Sequence, residues 1–179
     1  RRPSDLLATG ILGTKYLFDV LVNNGRSGLA YTVALQEDYP GWGYMIANGA
    51  TTLWELWERK TGNEMNSHNH QMFASILGWM YGGVAGIRTL PEPGYGRVTI
   101  APQIEGPVNY AAAYVDTVRG RIATTWIKNE NGYDIAIAIP PNVRARVEIP
   151  ADGRMLETKP GDPAPDRKST RLNSSHVSQ

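Results

Sequence analysis

The chain has 179 residues, with 18 Lys and Arg against 17 Asp and Glu, 41% apolar residues and no cysteine. That length is ample to bury a core and the composition is globular, which excludes general disorder, a disulfide scaffold and a thiolate zinc site. No apolar run reaches the roughly 20 residues of a membrane span, and a formal net charge of +1 leaves no electrostatic footprint for nucleic acid, so neither membrane nor nucleic acid is expected as a partner.

The opening Arg1-Arg2-Pro3-Ser4-Asp5 has no Met and no apolar signal-peptide core, and a helical pattern begins almost at once. The chain reads as a piece of something longer, and its compartment stays open. Up to about Gly86 the apolar period is helical. Leu7, Ile11, Phe18 and Val22, widened by Leu17 and Leu21, predict a first helix that Gly25 closes. Gly28 to Asp38 predicts a second, ended by Tyr39-Pro40-Gly41. Thr51 or Thr52 is placed to cap a third, running through Leu53, Trp54, Leu56 and Trp57. Phe73, Ile76, Leu77, Met80, Tyr81 and Val84 form one broad stripe and predict the longest helix.

After Arg88 the period becomes two. Tyr133, Ile135, Ile137 and Ile139 alternate with Gly132, Asp134, Ala136 and Ala138; Val143, Ala145, Val147 and Ile149 alternate with Arg144, Arg146 and Glu148; Ile122, Thr124 and Trp126 follow the same period. Asn131-Gly132 between two such runs predicts a hairpin, and the whole pattern an antiparallel sandwich. The join falls near Gly86-Ile87-Arg88. Residues 161–179 show no periodicity and read as a disordered tail. Within it, the unbroken run from Asp166 to His176 looks like a translated sequencing adapter, so residues 166–179 are set aside from the fold.

Chemistry concentrates between Tyr39 and His70, where Trp42, Tyr44, Trp54 and Trp57 stand among Glu55, Glu58, Asn66, Ser67, Asn69 and His70. Aromatic faces beside carboxylates and amides suit a sugar, whose apolar face stacks on a ring while its hydroxyls bond polar groups. The same tryptophans equally suit core filling between helices. Glu55, inside an otherwise apolar run, is either functional or a helix-surface residue; Glu58, beside Arg59 and Lys60, reads as an ion-pair partner. Asn66, Ser67 and Asn69 read as N-cap candidates for the longest helix. His68 and His70, two apart, do not share a helix face, so no metal site is expected. Gly82-Gly83 and Gly94-Tyr95-Gly96 lack the partners of a phosphate loop.

Taken together, Thr9-Gly10-Ile11-Leu12-Gly13-Thr14, Tyr39-Pro40-Gly41-Trp42-Gly43-Tyr44-Met45-Ile46, Gly49-Ala50-Thr51-Thr52-Leu53-Trp54-Glu55 and Met65-Asn66-Ser67-His68-Asn69-His70 resemble bacterial α-L-rhamnosidases of glycoside hydrolase family 78. The resemblance continues through Val84-Ala85-Gly86-Ile87 and Pro93-Gly94-Tyr95 to Ile100-Ala101-Pro102-Gln103 and covers residues 5–150. It implies a multidomain α-then-β chain: the end of a six-hairpin α/α toroid over residues 1–87, then a C-terminal antiparallel β-sandwich over 88–160.

It also implies inverting hydrolysis of terminal α-L-rhamnose, with a rhamnose-containing glycoside or polysaccharide as partner and no cofactor. In such an enzyme a carboxylic acid protonates the leaving oxygen while a carboxylate roughly 6.5–9.5 Å away activates water. Glu55 matches the family's general base and His70 a residue that contacts the sugar; Trp42, Tyr44 and Trp54 stand as substrate-binding candidates. The family's general acid lies upstream of the matching motifs, so this piece alone is expected to be inactive. His68 stands where an aromatic residue is expected and takes no role from the resemblance. Other toroid glycosidases, or a non-catalytic carbohydrate-binding or structural module, are the competing readings. Without residues 166–179, fifteen basic groups face sixteen acidic ones and the net charge becomes −1, so the charge says nothing about partners.

Overall fold

Gly25 ends the first helix as its position predicts. It holds φ 67°, its N–H donates to Val22 O at 3.0 Å, and Arg26 N–H reaches back to Leu21 O at 2.8 Å. This paired closure satisfies the last carbonyls of the helix and needs a left-handed residue. The computed structural model describes residues 9–64, 67–89, 93–130, 132–149 and 171–173. Leu7, Met65, Asn66, Asn131 and residues 161–170 and 174–179 lie outside the described residues. Two compact units divide between Trp79 and Met80.

In the first unit, α1 (Ile11–Asn23) buries Thr14 and Phe18. The Thr14 hydroxyl donates to Gly10 O at 2.9 Å, which lets a polar residue sit inside. Helix α2 (Ser27–Ala34) stops four residues short of the predicted Asp38. The reason is local: Gln36 Nε2 donates to Pro40 O at 3.1 Å and to Asp38 O at 3.3 Å, and Pro40 disfavours helical backbone at Tyr39. A short helix that the spacing does not predict follows, α3 (Trp42–Ala47). Gly43 is what allows α3 to lie against the preceding loop, because a Cβ there would stand 2.6 Å from Gln36 O.

The predicted helix through Leu53 to Trp57 does not form. Glu55 N–H and His70 N–H bond across to Ser67 O and Leu53 O instead of four residues back. The predicted longest helix does form, as a run whose pitch changes: a tight 3-10 turn (Met72–Ser75), α4 (Ile76–Trp79) and a wide π turn (Met80–Val84). Tight winding stacks residues three apart. Phe73, Ile76 and Trp79 are therefore the buried set, while Leu77, Met80 and Tyr81 of the expected stripe are exposed.

The core of this unit is aromatic. Phe18 stacks on Trp79 at 4.8 Å, Tyr31 meets Trp79 edge-on at 5.0 Å, Trp57 stacks on Phe73 at 3.8 Å, and Trp42 stands edge-on to Trp57 at 4.9 Å. Such pairs add to the large area each ring buries. Burial pushes the Tyr31 hydroxyl up to about 12.

In the second unit the carbonyls ending the π turn are satisfied by side chains of the sheet. Trp126 Nε1 donates to Val84 O at 2.8 Å and Thr124 Oγ1 to Ala85 O at 2.5 Å; Arg88 Nε reaches Gly82 O at 2.9 Å. Gly86 takes φ 86° with Pro102 pressed against it, 2.3 Å from where a Cβ would be. Two sheets follow. One is β1 (Ile87–Thr89), β2 (Arg97–Ile100) and β6 (Arg144–Val147); the other is β3 (Tyr110–Thr117), β4 (Gly120–Asn129), β5 (Gly132–Ala138) and β7 (Arg171–Asn173).

Ile87, Val98, Ile100 and Val147 from the first sheet and Ile122, Trp126, Tyr133 and Ile135 from the second share one core, the expected sandwich. The predicted β4–β5 hairpin closes on Asn129 opposite Gly132. One pair departs from the antiparallel expectation. Strands β2 and β6 run parallel, because the whole second hairpin series separates them in sequence and the chain crosses over to return. Inside the stretch expected to be structureless, β7 pairs with β5 through Leu172 opposite Ile135, using N–H and C=O groups that an edge strand leaves open.

Candidate active site

Residues 52–55 and 67–70 run side by side in opposite directions, and four hydrogen bonds tie them. Glu55 N–H donates to Ser67 O at 2.9 Å and His70 N–H to Leu53 O at 2.8 Å. Ser67 N–H donates to Glu55 Oε2 at 3.1 Å, and the Thr52 hydroxyl donates to His68 O. Glu55 and Ser67 thus hold each other twice, through the backbone and through the carboxylate. The Glu55 side chain is half-buried, and among the described residues nothing bonds its Oε1. An ionised carboxylate is acceptor-only. Fixing one oxygen and leaving the other open is what a water-activating base requires.

His70 flanks the same crossing. Met72 N–H donates to its Nδ1 at 3.4 Å, which places the proton of a neutral ring on Nε2 and leaves that atom a donor. Trp54 is 4% exposed and carries the His68 ring against it, 5.2 Å between centroids at 34°. Trp42 is 7% exposed, with its indole N–H donated to Phe73 O at 3.1 Å. Tyr44 is half-buried and edge-on to Tyr39 at 5.3 Å. Glu58 is the surface ion-pair partner expected, 3.4 Å from Lys60 Nζ, and it also accepts from the Tyr39 hydroxyl at 3.3 Å. Partial burial, then the Glu58 carboxylate, hold the Tyr39 hydroxyl above its usual value.

The structure therefore brings Glu55, His70 and Trp54 to one crossing and places Trp42 in the aromatic core. Sequence reasoning missed Thr52 and His68 as members of the site and read Ser67 and Asn69 as a helix cap. Ser67 Oγ does accept from Asn69 N–H at 3.1 Å, but the turn so formed stands before the helical run, whose N-terminal Gln71 makes no side-chain cap. The signal available was the Ser-x-Asn spacing, which marks a local turn as readily as a cap. Among the described residues no three His, Asp or Glu side chains are grouped to hold a metal, and no helix is long and apolar enough to cross a membrane.

Comparison with known proteins defines the class first. Residues 2–84 match the model of the bacterial alpha-L-rhamnosidase 6 hairpin glycosidase domain, and residues 86–162 that of the bacterial alpha-L-rhamnosidase C-terminal domain. The chain is a glycosidase-type helical end followed by that domain's sandwich, and it belongs to the bacterial α-L-rhamnosidase family. An alpha-L-rhamnosidase of Streptomyces avermitilis is 40% identical over 152 residues, 82% of this chain and 15% of that protein. The structure of the alpha-L-rhamnosidase from Dictyoglumus thermophilum has a TM-score of 0.76 at 38% identity, over 93% of this chain and 20% of that one. The Streptomyces avermitilis enzyme complexed with L-rhamnose has a TM-score of 0.76 at 38% identity, covering 82% of this chain and 15% of that one. The chain therefore spans between a seventh and a fifth of these relatives.

Proposed function

We propose that this chain is the closing part of an inverting α-L-rhamnosidase, in which Glu55 is the general base that activates water. The observation that carries the reading is the Glu55 carboxylate, half-buried and held by the Ser67 N–H at 3.1 Å inside the motif on which the family resemblance rests. A base must be aimed; an N–H donor on one oxygen fixes the carboxylate and leaves the other to accept a proton from water. His70 supplies Nε2–H to a sugar hydroxyl. Tyr44, half-buried, forms wall around the sugar; Trp54 and Trp42, expected from the sequence to bind substrate, are buried and support that wall from behind, the Trp42 N–H already spent on Phe73 O.

The relatives are alpha-L-rhamnosidases, which supports α-L-rhamnose as the group removed, and the complex with L-rhamnose of the Streptomyces avermitilis enzyme supports the sugar itself. The partner acid, which protonates the leaving oxygen, is supplied by the rest of the enzyme. Proton NMR of the rhamnose first released by the full-length enzyme tests the reading. Inversion at the anomeric carbon is expected. Retention, or a preference for aryl α-L-fucoside or α-glucoside over the rhamnoside, would overturn it.

A further inference from the structure

Resting on the reading of Glu55 as the base, we propose that His68 is a positioning residue: its imidazole, laid against Trp54, holds the Ser67–Asn69 backbone where Ser67 N–H meets the Glu55 carboxylate. The two contacts lie one residue apart on both segments. The Trp54 and His68 rings are tilted by 34° with their centroids 5.2 Å apart; next along, Glu55 and Ser67 exchange two hydrogen bonds.

What keeps Ser67 in register is limited. Ser67, Asn69 and Thr52 are exposed, so the Ser67 Oγ bond to Asn69 N–H and the Thr52 hydroxyl bond to His68 O both compete with water. The Trp54 ring is buried and offers the 67–69 segment a desolvated surface that water does not contest. A ring there forms an aromatic pair with the indole, which adds to the area the contact buries. The donor to the carboxylate is a backbone N–H, which only proline at 67 would remove, and proline would also fix φ there, so residue 68 is the position through which the clamp can be loosened by side chain alone.

The test compares His68→Ala, His68→Gln and His68→Phe in the full-length enzyme, with Glu55→Gln as reference. His68→Ala and His68→Gln are expected to lower kcat by about tenfold to a hundredfold, the effect of misplacing a reacting group by around an ångström, with KM unchanged. His68→Phe, which keeps a ring, retains wild-type turnover. Far-UV circular dichroism and melting temperature are expected to match wild type in all three variants, which separates mispositioning from partial misfolding. Wild-type kinetics in His68→Ala and His68→Gln, or a His68→Phe as impaired as they are, would overturn the inference. If Glu55→Gln itself turns over normally, it is the base assignment that fails; if Glu55→Gln is dead and His68→Ala is not, the positioning role alone fails.

Discussion

Helix α1 and strand β4 are both amphipathic, and they meet different fates. Strand β4 buries Ile122, Thr124 and Trp126 in a core to which both sheets contribute, and the polar groups of Thr124 and Trp126 close the helical run's last carbonyls. Helix α1 buries Thr14 and Phe18 but leaves a second apolar stripe open: Leu12 is 73% exposed, Tyr16 59% and Val20 56%, spaced four residues apart. The inner face of β4 is closed off within its own unit. Helix α1 carries more apolar surface than the core of its unit covers, as expected of a part of a larger helical ring.

The sharpest way to test that contrast is to remove the centre of the closed unit. Trp126→Ala deletes a fully buried ring and orphans Val84 O; a cost of about 3–5 kcal/mol is expected. Denaturant titration of this chain, read on the sheet signal, checks it. Next comes Gly86→Ala, where a Cβ would fall 2.3 Å from Pro102 N at φ 86°. Strain of this kind costs about 1–3 kcal/mol before the clash is counted, and the same titration should show it. The smallest effect is expected on the open stripe: Leu12→Lys should change the stability of this chain by no more than about 0.5 kcal/mol. A loss as large as that of Trp126→Ala would mean that α1 is already packed on both faces and the contrast is false.

The β unit was legible because alternation with a buried inner face fixes both strand and register. Ile122, Thr124 and Trp126 face inward together, and their cross-strand partners Ile137 and Ile135 do too. The parallel β2–β6 pair was not legible, since each strand alternates in the same way whichever direction its neighbour runs. In the helical unit α1 and its Gly25 closure were readable from spacing and a single residue type.

The segment around Glu55 was misread as helix. Trp54 and Trp57 are three apart and both buried, which satisfies helical spacing, yet the bonds that hold this backbone come from Ser67 and His70 across the crossing. Non-local hydrogen bonds leave no periodic trace. For the same reason Glu55 was noticeable, as a carboxylate in an apolar run, while its donor Ser67 was not: a backbone N–H has no sequence signature.

The most direct measurement of the central claim is the turnover of Glu55→Gln against Glu58→Gln in the full-length enzyme with an aryl α-L-rhamnoside. Glu58 lies three residues away, exposed and paired with Lys60, and serves as the internal control. A fall in kcat of at least about a hundredfold is predicted for Glu55→Gln, the contribution of a positioned base, with Glu58→Gln near wild type. Equal activity of the two variants would contradict the assignment of Glu55 as the base.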